Sequence, residues 1–392
     1  RQCVRRRVLV SGPPLFASTM ADKRKSPPLA AGEVVKRVRQ GNEGALTVTQ
    51  RRTSSLSSSV ISLQGAHTAE ILDVKFSPDG QTIAAASADH TVSLWETYGG
   101  NRNIGQLVSH GRAVTTVAWA PAEETPTLVS GSADNTVIAW NAQTGEKMRR
   151  FRGHKGIVNS VACTRSGRTL VASGSDDGRV LLWDLDERHA VDALDLGYPV
   201  TAVAFSEDGT QLFVGGVDNA IHAVDLATKQ RPYSLRGHLD TIGSLALSRS
   251  GTHLLSSSLD DTLRIWDVRP FAPEPRPGDT ESPRLYRTLT GAPSGFENIL
   301  MKAAWSMDGE RVASGSADRT CTIWEYVATT NLSVEKGAIL YKLPGHRGTC
   351  TAVDMHPREP IGMYTPCLRS RLGLDRPHAA FGRSGARIVS CG

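Results

Sequence analysis

Apolar and polar residues alternate in short runs from about residue 60 onward. Thr136-Val137-Ile138-Ala139-Trp140 is largely β-branched and apolar, the composition of a buried strand. Leu72-Asp73-Val74-Lys75-Phe76 alternates and then runs into Ser77-Pro78-Asp79-Gly80. Alternation followed by Pro-Asp-Gly or Asp-Gly is a strand entering a hairpin turn. The same sequence of events recurs at 203–209, ending Asp208-Gly209, and at 304–309, ending Asp308-Gly309. No apolar run reaches the ~18 residues of a membrane span. The pattern predicts an all-β chain of short antiparallel strands.

The strands come in a longer repeat. Trp95-Glu96, Trp140-Asn141, Trp183-Asp184, Trp266-Asp267 and Trp324-Glu325 end similar segments, and Val224-Asp225 fills the slot between Trp183 and Trp266. Successive spacings are 45, 43, 41, 42 and 58 residues. The long interval contains the Pro-rich stretch 270–283. A period of about 40–45 residues ending in Trp-Asp is the WD40 signature, one four-stranded propeller blade per repeat. Six repeats, and the start of another at Gly345-His346, predict a seven-bladed WD40 β-propeller over residues 60–361. Val60-Ile61-Ser62-Leu63 precedes the first repeat and is expected to be the outer strand of the last blade, pairing the two ends of the chain and protecting strand edges.

Polar residues recur at fixed offsets. Asp89, Asp134, Asp177, Asp218, Asp260 and Asp318 each stand six residues before the Trp or Val. Ser87, Ser132, Ser175, Ser258 and Ser316 stand two residues before the Asp, and His67, His110, His154 and His238 stand 28–30 residues before the Trp. An Asp in the turn entering the strand is placed to accept hydrogen bonds from turn amides and from the His. The His is then expected to relay to Ser and to Trp95, Trp140, Trp183 or Trp266, giving each buried polar atom a partner. Ser, His and Asp together also suggest hydrolysis. A catalytic site needs one copy, however, and this trio appears in four, so the reading is structural. No second His or Cys stands at ligand spacing, so no metal is expected, and no phosphate-binding Gly loop occurs. No cofactor and no small-molecule substrate are implied.

Charge is uneven. Residues 1–52 hold 12 Lys and Arg against 3 Asp and Glu, a net of +9, which leaves −3 for the rest of a chain whose total is +6. The basic character therefore belongs to a tail, read as disordered and Ser-rich over 1–59, and no basic groove for nucleic acid is expected on the propeller. RNA contact is expected to be indirect or through that tail. Lys23, Arg24 and Lys25, followed after a gap by Lys36, Arg37 and Arg39, have the form of a bipartite nuclear-import signal. The bland alternative is a solvated basic tail. Arg5, Arg6 and Arg7 precede a short apolar stretch that Pro13 and Pro14 interrupt, which argues against a secretory leader. The cysteines Cys3, Cys163, Cys321, Cys350, Cys367 and Cys391 are scattered and read as reduced thiols of an intracellular protein.

Some stretches go beyond the generic repeat. They are Gly174-Ser175-Asp176-Asp177-Gly178, Trp266-Asp267-Val268-Arg269-Pro270-Phe271-Ala272-Pro273, Phe296-Glu297-Asn298-Ile299-Leu300, Leu340-Tyr341-Lys342-Leu343-Pro344-Gly345-His346, and the 356–361 segment beginning His356-Pro357. From about Leu63 to Ile361 the chain resembles the WD40-repeat protein of the U5 small nuclear ribonucleoprotein, a spliceosome subunit. The resemblance implies a nuclear, non-catalytic scaffold that acts in pre-mRNA splicing and docks on the large core protein of that particle. The alternative is a WD40 adaptor of another nuclear complex, either a ubiquitin-ligase substrate receptor or a chromatin complex. Three departures stand out. Val224 replaces a Trp in a repeat whose His slot holds Gly197-Tyr198, so that blade is expected to lean on apolar packing; Gly65-Ala66-His67 carries an extra Ala; and the C-terminal stretch is irregular. Met20-Ala21-Asp22-Lys23 reads as a natural start, with 1–19 as upstream sequence. Residues 362 to about 384 lack strand alternation and read as an unspliced insertion, and 385–392 as a late strand of the last blade. The expectation is an irregular seventh blade that lacks its third strand.

Overall fold

Four consecutive strands fold back on one another six times in succession. The computed structural model describes residues 61–121, 125–273, 282–326, 339–344, 348–359, 361–366 and 384–390. The chain divides into residues 1–46 and 47–392, and all described residues lie in the second unit. No helix occurs among them. After β1 (Ile61–His67), blade one holds β2 (Ile71–Phe76), β3 (Thr82–Ser87), β4 (Thr91–Glu96) and β5 (Asn103–Val108). Blade two holds β6 (Val114–Ala120), β7 (Thr127–Ser132), β8 (Thr136–Asn141) and β9 (Lys147–Arg152). Blade three holds β10 (Val158–Cys163), β11 (Leu170–Ser175), β12 (Arg179–Asp184) and β13 (Ala190–Asp195). Blade four holds β14 (Val200–Phe205), β15 (Gln211–Gly216), β16 (Ala220–Asp225) and β17 (Tyr233–Arg236). Blade five holds β18 (Ile242–Leu247), β19 (His253–Ser258), β20 (Thr262–Asp267) and β21 (Leu285–Thr290). Blade six holds β22 (Ala303–Trp305), β23 (Arg311–Gly315), β24 (Thr320–Glu325) and β25 (Ile339–Pro344). The remaining strands are β26 (Cys350–Met355), β27 (Ile361–Pro366) and β28 (Ser384–Ser390).

The expectation of seven like blades is corrected here. Six blades are antiparallel meanders of consecutive strands; the remaining sheet is a composite, ordered β1-β28-β27-β26, that draws its outer strand from near the other end of the chain. Ile61 pairs with Ile388 and Gln64 with Gly385. Innermost strands are neighbours in the order β2, β6, β10, β14, β18, β22, β26 and back to β2, so the sheets form a ring. The expected lack of a third strand is also corrected: β27 and β28 fill the second and third places of this sheet. Ile361–Pro366, placed in the irregular segment by sequence, is β27, and it pairs with β26 on one side and β28 on the other. Its Met363 and Thr365 are fully buried two positions apart, an alternation too short to stand out against the Arg- and Pro-rich residues that follow. Residues 367–383 and 1–60 lie outside the described residues, as do the expected import signal and the readings of 1–19.

Inner strands are buried on both faces, while outer strands such as β5, β9, β13 and β21 bury little beyond Leu107, Phe151, Leu194 and Leu289. The core is divided among the gaps between sheets. Leu94 and Leu107 of blade one meet Val117, Leu128 and Trp140 of blade two. Val224 and Phe205 of blade four pack on Leu182 and Leu194 of blade three. Leu63 and Met363 of the composite sheet pack on Val74, Ile83 and Trp95 of blade one.

That last seam also carries an ion pair on the channel wall. Lys75 Nζ lies 3.2 Å from Asp354 Oδ1, and Phe76 N–H donates to Asp354 Oδ2 (2.8 Å). Burial pushes the Asp354 carboxyl up, and Lys75 and the Phe76 amide counter it. Beside it His356 approaches the Gly80 carbonyl at 3.0 Å. Gly80 has φ +78°, and a Cβ there would lie 2.1 Å from the His356 ring, so only Gly fits this turn. Removing Asp354 leaves the Phe76 amide and the part-buried Lys75 without their acceptor. Asp354→Ala is expected to cost ~1–2 kcal/mol, because Lys75 keeps solvent contact while the Phe76 amide loses its acceptor, with Asp354→Asn costing less because it keeps an acceptor for Phe76. Urea denaturation of the three proteins measures this; equal midpoints would show that the pair adds nothing to closure.

Candidate functional site: the blade networks and the channel

Antiparallel strands reverse at each turn, so the turns between second and third strands share one end of the ring with the links into the next inner strand. This upper end holds the six repeated Asp residues. After each Asp comes a residue with positive φ: His90 (72°), Asn135 (65°), Gly178 (80°), Asn219 (63°), Asp261 (64°) and Arg319 (69°). A short polar side chain capping the turn helps offset that strain. Asp134 does so by accepting from Thr136 N–H (3.0 Å) and Thr136 Oγ1 (2.7 Å), and Asp260 accepts likewise from Thr262.

His110 Nδ1 lies 3.0 Å from Asp134 Oδ2, and Nε2 lies 2.8 Å from Ser130 Oγ. Trp140 Nε1–H donates to the same Ser130 Oγ at 2.8 Å. Indole only donates and carboxylate only accepts. The chain of donors is then Trp to Ser, Ser to His Nε2, and His Nδ1–H to Asp. Blade three repeats it with Asp177, His154, Ser173 and Trp183, and blade five with Asp260, His238, Ser256 and Trp266. In blade one His67, at the end of β1, meets Asp89 (2.9 Å) and Ser93 (2.6 Å), and Trp95 donates to Ser93.

The hub serine differs from the expected one. Ser87, Ser132, Ser175 and Ser258 stay in the turn, where they accept the Asp amide, and Ser132 also donates to the Ala113 carbonyl (2.8 Å). The hub lies two residues earlier, at Ser130, Ser173 and Ser256. In blade one that position is Ala85, and Ser93 on β4 takes over. Blade four keeps Val224 in an apolar cluster and adds a polar contact from outside the repeat's usual slot. Its Asp218 does find an imidazole, His222 on the third strand, with Nε2 at 2.6 Å and Nδ1 at 2.7 Å from Ser234 Oγ. The sequence signal was a His four residues after the Asp, outside the repeat's usual slot. In blade six, Lys342 of β25 donates to Asp318 (3.1 Å), and Trp324 Nε1–H goes to the Thr290 carbonyl (3.0 Å).

Burial lowers the pKa of His110, His154 and His238, against the pull of their Asp partners. Burial opposes ionisation of Asp134 too, but hydrogen bonds from Thr136, Gly111 and His110 prevail and hold it at about 2; Asp89 and Asp260 are held lower still by His67 and His238. Burial pushes the Cys163 and Cys350 thiols up to about 12. Among the described residues no His, Cys, Asp and Glu cluster has metal-binding form.

The inner strands surround a channel of about 680 Å³. Its middle is lined by small side chains, Ala118, Ala162, Ala204, Ala246 and Ala304, interrupted by the Lys75–Asp354 pair. At the lower end two arginines cross between blades. Arg165 of blade three donates to the carbonyls of Leu247 and Ser248 in blade five (2.8 Å each), and Arg249 donates to the Pro357 carbonyl (2.6 Å).

The repeat geometry alone places the chain among WD40 propellers. The family model described as nucleolar protein 10-like, N-terminal domain, matches residues 47–272, and the WD domain, G-beta repeat, matches 284–325. The β-propeller domain of Cps50 (Swd1) from Myceliophteria thermophila is alike in fold, at a TM-score of 0.67 and 20% identity over 85% of this chain and 100% of that one. Relatives matched along nearly their whole length are more telling. Pre-mRNA-splicing factor cwf17 of Schizosaccharomyces pombe is 36% identical over 87% of this chain and 95% of its own. The human U5 small nuclear ribonucleoprotein 40 kDa protein is 40% identical over 79% and 82%, and that of Dictyostelium discoideum 36% identical over 83% and 86%. The chain belongs to the family of the U5 small nuclear ribonucleoprotein 40 kDa protein.

Two measurements probe the networks. Ser130→Ala strands a buried indole N–H and an imidazole nitrogen, so a cost of ~3 kcal/mol is expected, against ~1 kcal/mol for Ser132→Ala; a larger loss at Ser132 would move the hub back to the turn. Stability should also fall on acidification. The unfolded chain takes up protons at His110, His154 and His238 below the ordinary imidazole value of 6.5, while the folded imidazoles resist. The contributions of Asp89, Asp134 and Asp260 are present above the ordinary 3.8 and vanish only as pH falls through their lowered values. A urea midpoint that drops between pH 7.5 and pH 5 fits this; one that rises would mean that charged His–Asp pairs dominate.

Proposed function

We propose that this chain is a non-catalytic subunit of the U5 small nuclear ribonucleoprotein, acts in pre-mRNA splicing in the nucleus, and docks on the large core protein of that particle. The observation that carries the reading is whole-length similarity: 36–40% identity to splicing proteins across 81–95% of their length. The geometry supports a scaffold. Each Ser, His and Asp set of blades one, two, three and five is tied to a Trp and largely buried, so its groups serve the blade and not a substrate. The polar blade networks are proposed to fix the upper-end loops in place, because a fully satisfied buried network holds one arrangement. The basic clusters Lys23-Arg24-Lys25 and Lys36-Arg37-Arg39 are proposed to direct nuclear import.

The test is affinity purification of the tagged full chain from nuclear extract, beside a version lacking residues 1–52. Both are expected to recover U5 RNA and the large core protein. Recovery of another nuclear complex without spliceosomal RNA would remove the splicing role and leave the propeller as an adaptor. Replacing the six basic import residues by Ala in a fluorescent fusion is expected to shift the protein toward the cytoplasm; unchanged nuclear accumulation would reduce the clusters to a solvated tail.

A further inference from the structure

The outer strand of blade two differs from the other outer strands in its charge. β9 reads Lys147-Met148-Arg149-Arg150-Phe151-Arg152, four cations and no carboxylate in six residues. No other blade's outer strand carries more than two charged residues, and β5 carries none. Residues 53–392 together have a net charge of −3, so the four cations are not a sample of a basic surface. Elsewhere such charges are paired: Asp195 of β13 with Arg179 (3.3 Å), Asp192 of β13 with Lys229 (2.7 Å), and Lys342 of β25 with Asp318 (3.1 Å). On β9 no cation forms an ion pair among the described residues. The residues opposite on β8 are uncharged, Ala139 facing Arg149, Ile138 facing Arg150 and Thr136 facing Arg152. Arg150 donates to the carbonyl of Ser109 and to its Oγ (3.0 Å), and Lys147 Nζ lies 3.5 Å from that Oγ. These are neutral acceptors, and the Arg149 and Arg152 guanidinium groups have none among the described residues.

β9 is also an open edge. It ends its sheet, ordered β6-β7-β8-β9, and no described strand pairs with its far side. Charge on an edge strand commonly serves to repel other chains. β5 has the same length, ends its own sheet and carries no charge, so edge protection does not demand four cations here. The cations point both ways from the sheet. Phe151 packs with Val158 and Leu181 of blade three, and Arg149, two residues earlier, shares that face. Arg150 reaches the other way, to Ser109 beside β5, and Arg152 shares its face. A phosphodiester chain lying along a sheet meets cations on one face. An added strand meets both, with its own side chains alternating and its backbone groups opposite those of the edge.

We propose that the free edge of β9 receives an extended acidic segment of a partner protein as a fifth strand of blade two, its carboxylates pairing across the ladder with Lys147, Arg149, Arg150 and Arg152. Charge complementarity, the open ladder and the two-sided placement of the cations fix the kind of occupant. The site deepens the scaffold reading above and rests on it, and it does not depend on which assembly holds the scaffold.

The experiment uses the tagged full chain in nuclear extract, with a photo-crosslinking benzoylphenylalanine in place of Met148, which is 52% exposed on β9. The cross-linked peptide is identified by mass spectrometry, and a synthetic copy of it is titrated against the full chain. Four variants are compared with wild type: Arg149→Glu, Arg152→Glu, the quadruple change of Lys147, Arg149, Arg150 and Arg152 to Glu, and the triple change of the three arginines to Lys. The cross-link is expected on a segment rich in Asp and Glu. Its synthetic copy should bind roughly 10-fold or more weakly to the quadruple variant, and weaken several-fold with each single Glu. The Lys variant should bind as wild type does, and added salt should weaken all binding. Hydrogen exchange of 147–152 should slow in the complex, which side-chain pairing without strand addition would not cause. Thermal melting of each variant separates lost binding from lost folding; Arg149→Glu and Arg152→Glu remove no internal hydrogen bond and keep the test open if the quadruple variant does not fold. A cross-link to nucleotide, a cross-linked segment without acidic residues, or unchanged binding by the folded Glu variants overturns the site. If wild type captures the U5 particle with no cross-link at Met148, the site fails and the splicing role stands. If an acidic strand is cross-linked in a complex without U5 RNA, the splicing role fails and the site stands.

Discussion

A four-stranded sheet with two apolar faces must cover both, and no single blade of this protein can cover its own. Every cluster of buried side chains described above spans a gap between neighbours, so each sheet is half of two cores. This nearest-neighbour dependence is the general property of repeat folds. In an open row two sheets would keep a bare face, and the ring removes both at once. Ring closure is therefore the constraint on which the fold depends. It falls to a sheet that takes β1 from one part of the sequence and β26–β28 from another, and to the polar seam of Lys75, Asp354 and His356.

Polar side chains do a different task from the apolar ones. Apolar contact says that two sheets must meet, but not at what height or register. The Trp–Ser–His–Asp chains tie the upper turn of a blade to its third strand and to the loop that enters the inner strand. In blade one this loop element is β1 itself, so His67 joins the closing strand to Asp89 of its neighbour. Arg165 and Arg249 act similarly at the lower end, reaching past an adjacent blade to carbonyl oxygens. The outcome is a channel braced at its lower end.

Much of this could be read in the sequence, and what escaped did so for definable reasons. Trp, Asp and His positions recur at fixed offsets because they occupy fixed points on strands and turns. The hub serine was misplaced because both Ser130 and Ser132 lie on one strand, two residues apart and on the same face, and spacing alone does not say which one reaches the indole. Blade four was expected to lean on apolar packing, because Val224 stands for the Trp and Gly197-Tyr198 leaves its usual slot without an imidazole. His222 supplies one from the third strand, which brings its ring to the same Asp from another direction. Lys342 reaches Asp318 from the outer strand for the same reason: an acceptor in a turn is approachable from several strands. β27, the second strand of the composite sheet, was missed because its alternation spans few residues. The count of like blades failed because the start of a further repeat was counted as another blade of the same kind, whereas the remaining sheet is completed by β1, already expected to be a closing strand.

The composite sheet also sets an order of events during synthesis. Ile61 and Ile388 are partners in the folded ring, yet translation at ordinary rates separates their appearance by on the order of tens of seconds. Through that interval the nascent chain carries finished blades whose terminal faces are bare, and an unpaired β1 that no later blade can satisfy. Such a strand is open to pairing with a neighbouring polypeptide. A cell making this protein must therefore shield its first strand, through a chaperone or simply through spacing between ribosomes on the message, until the last one emerges.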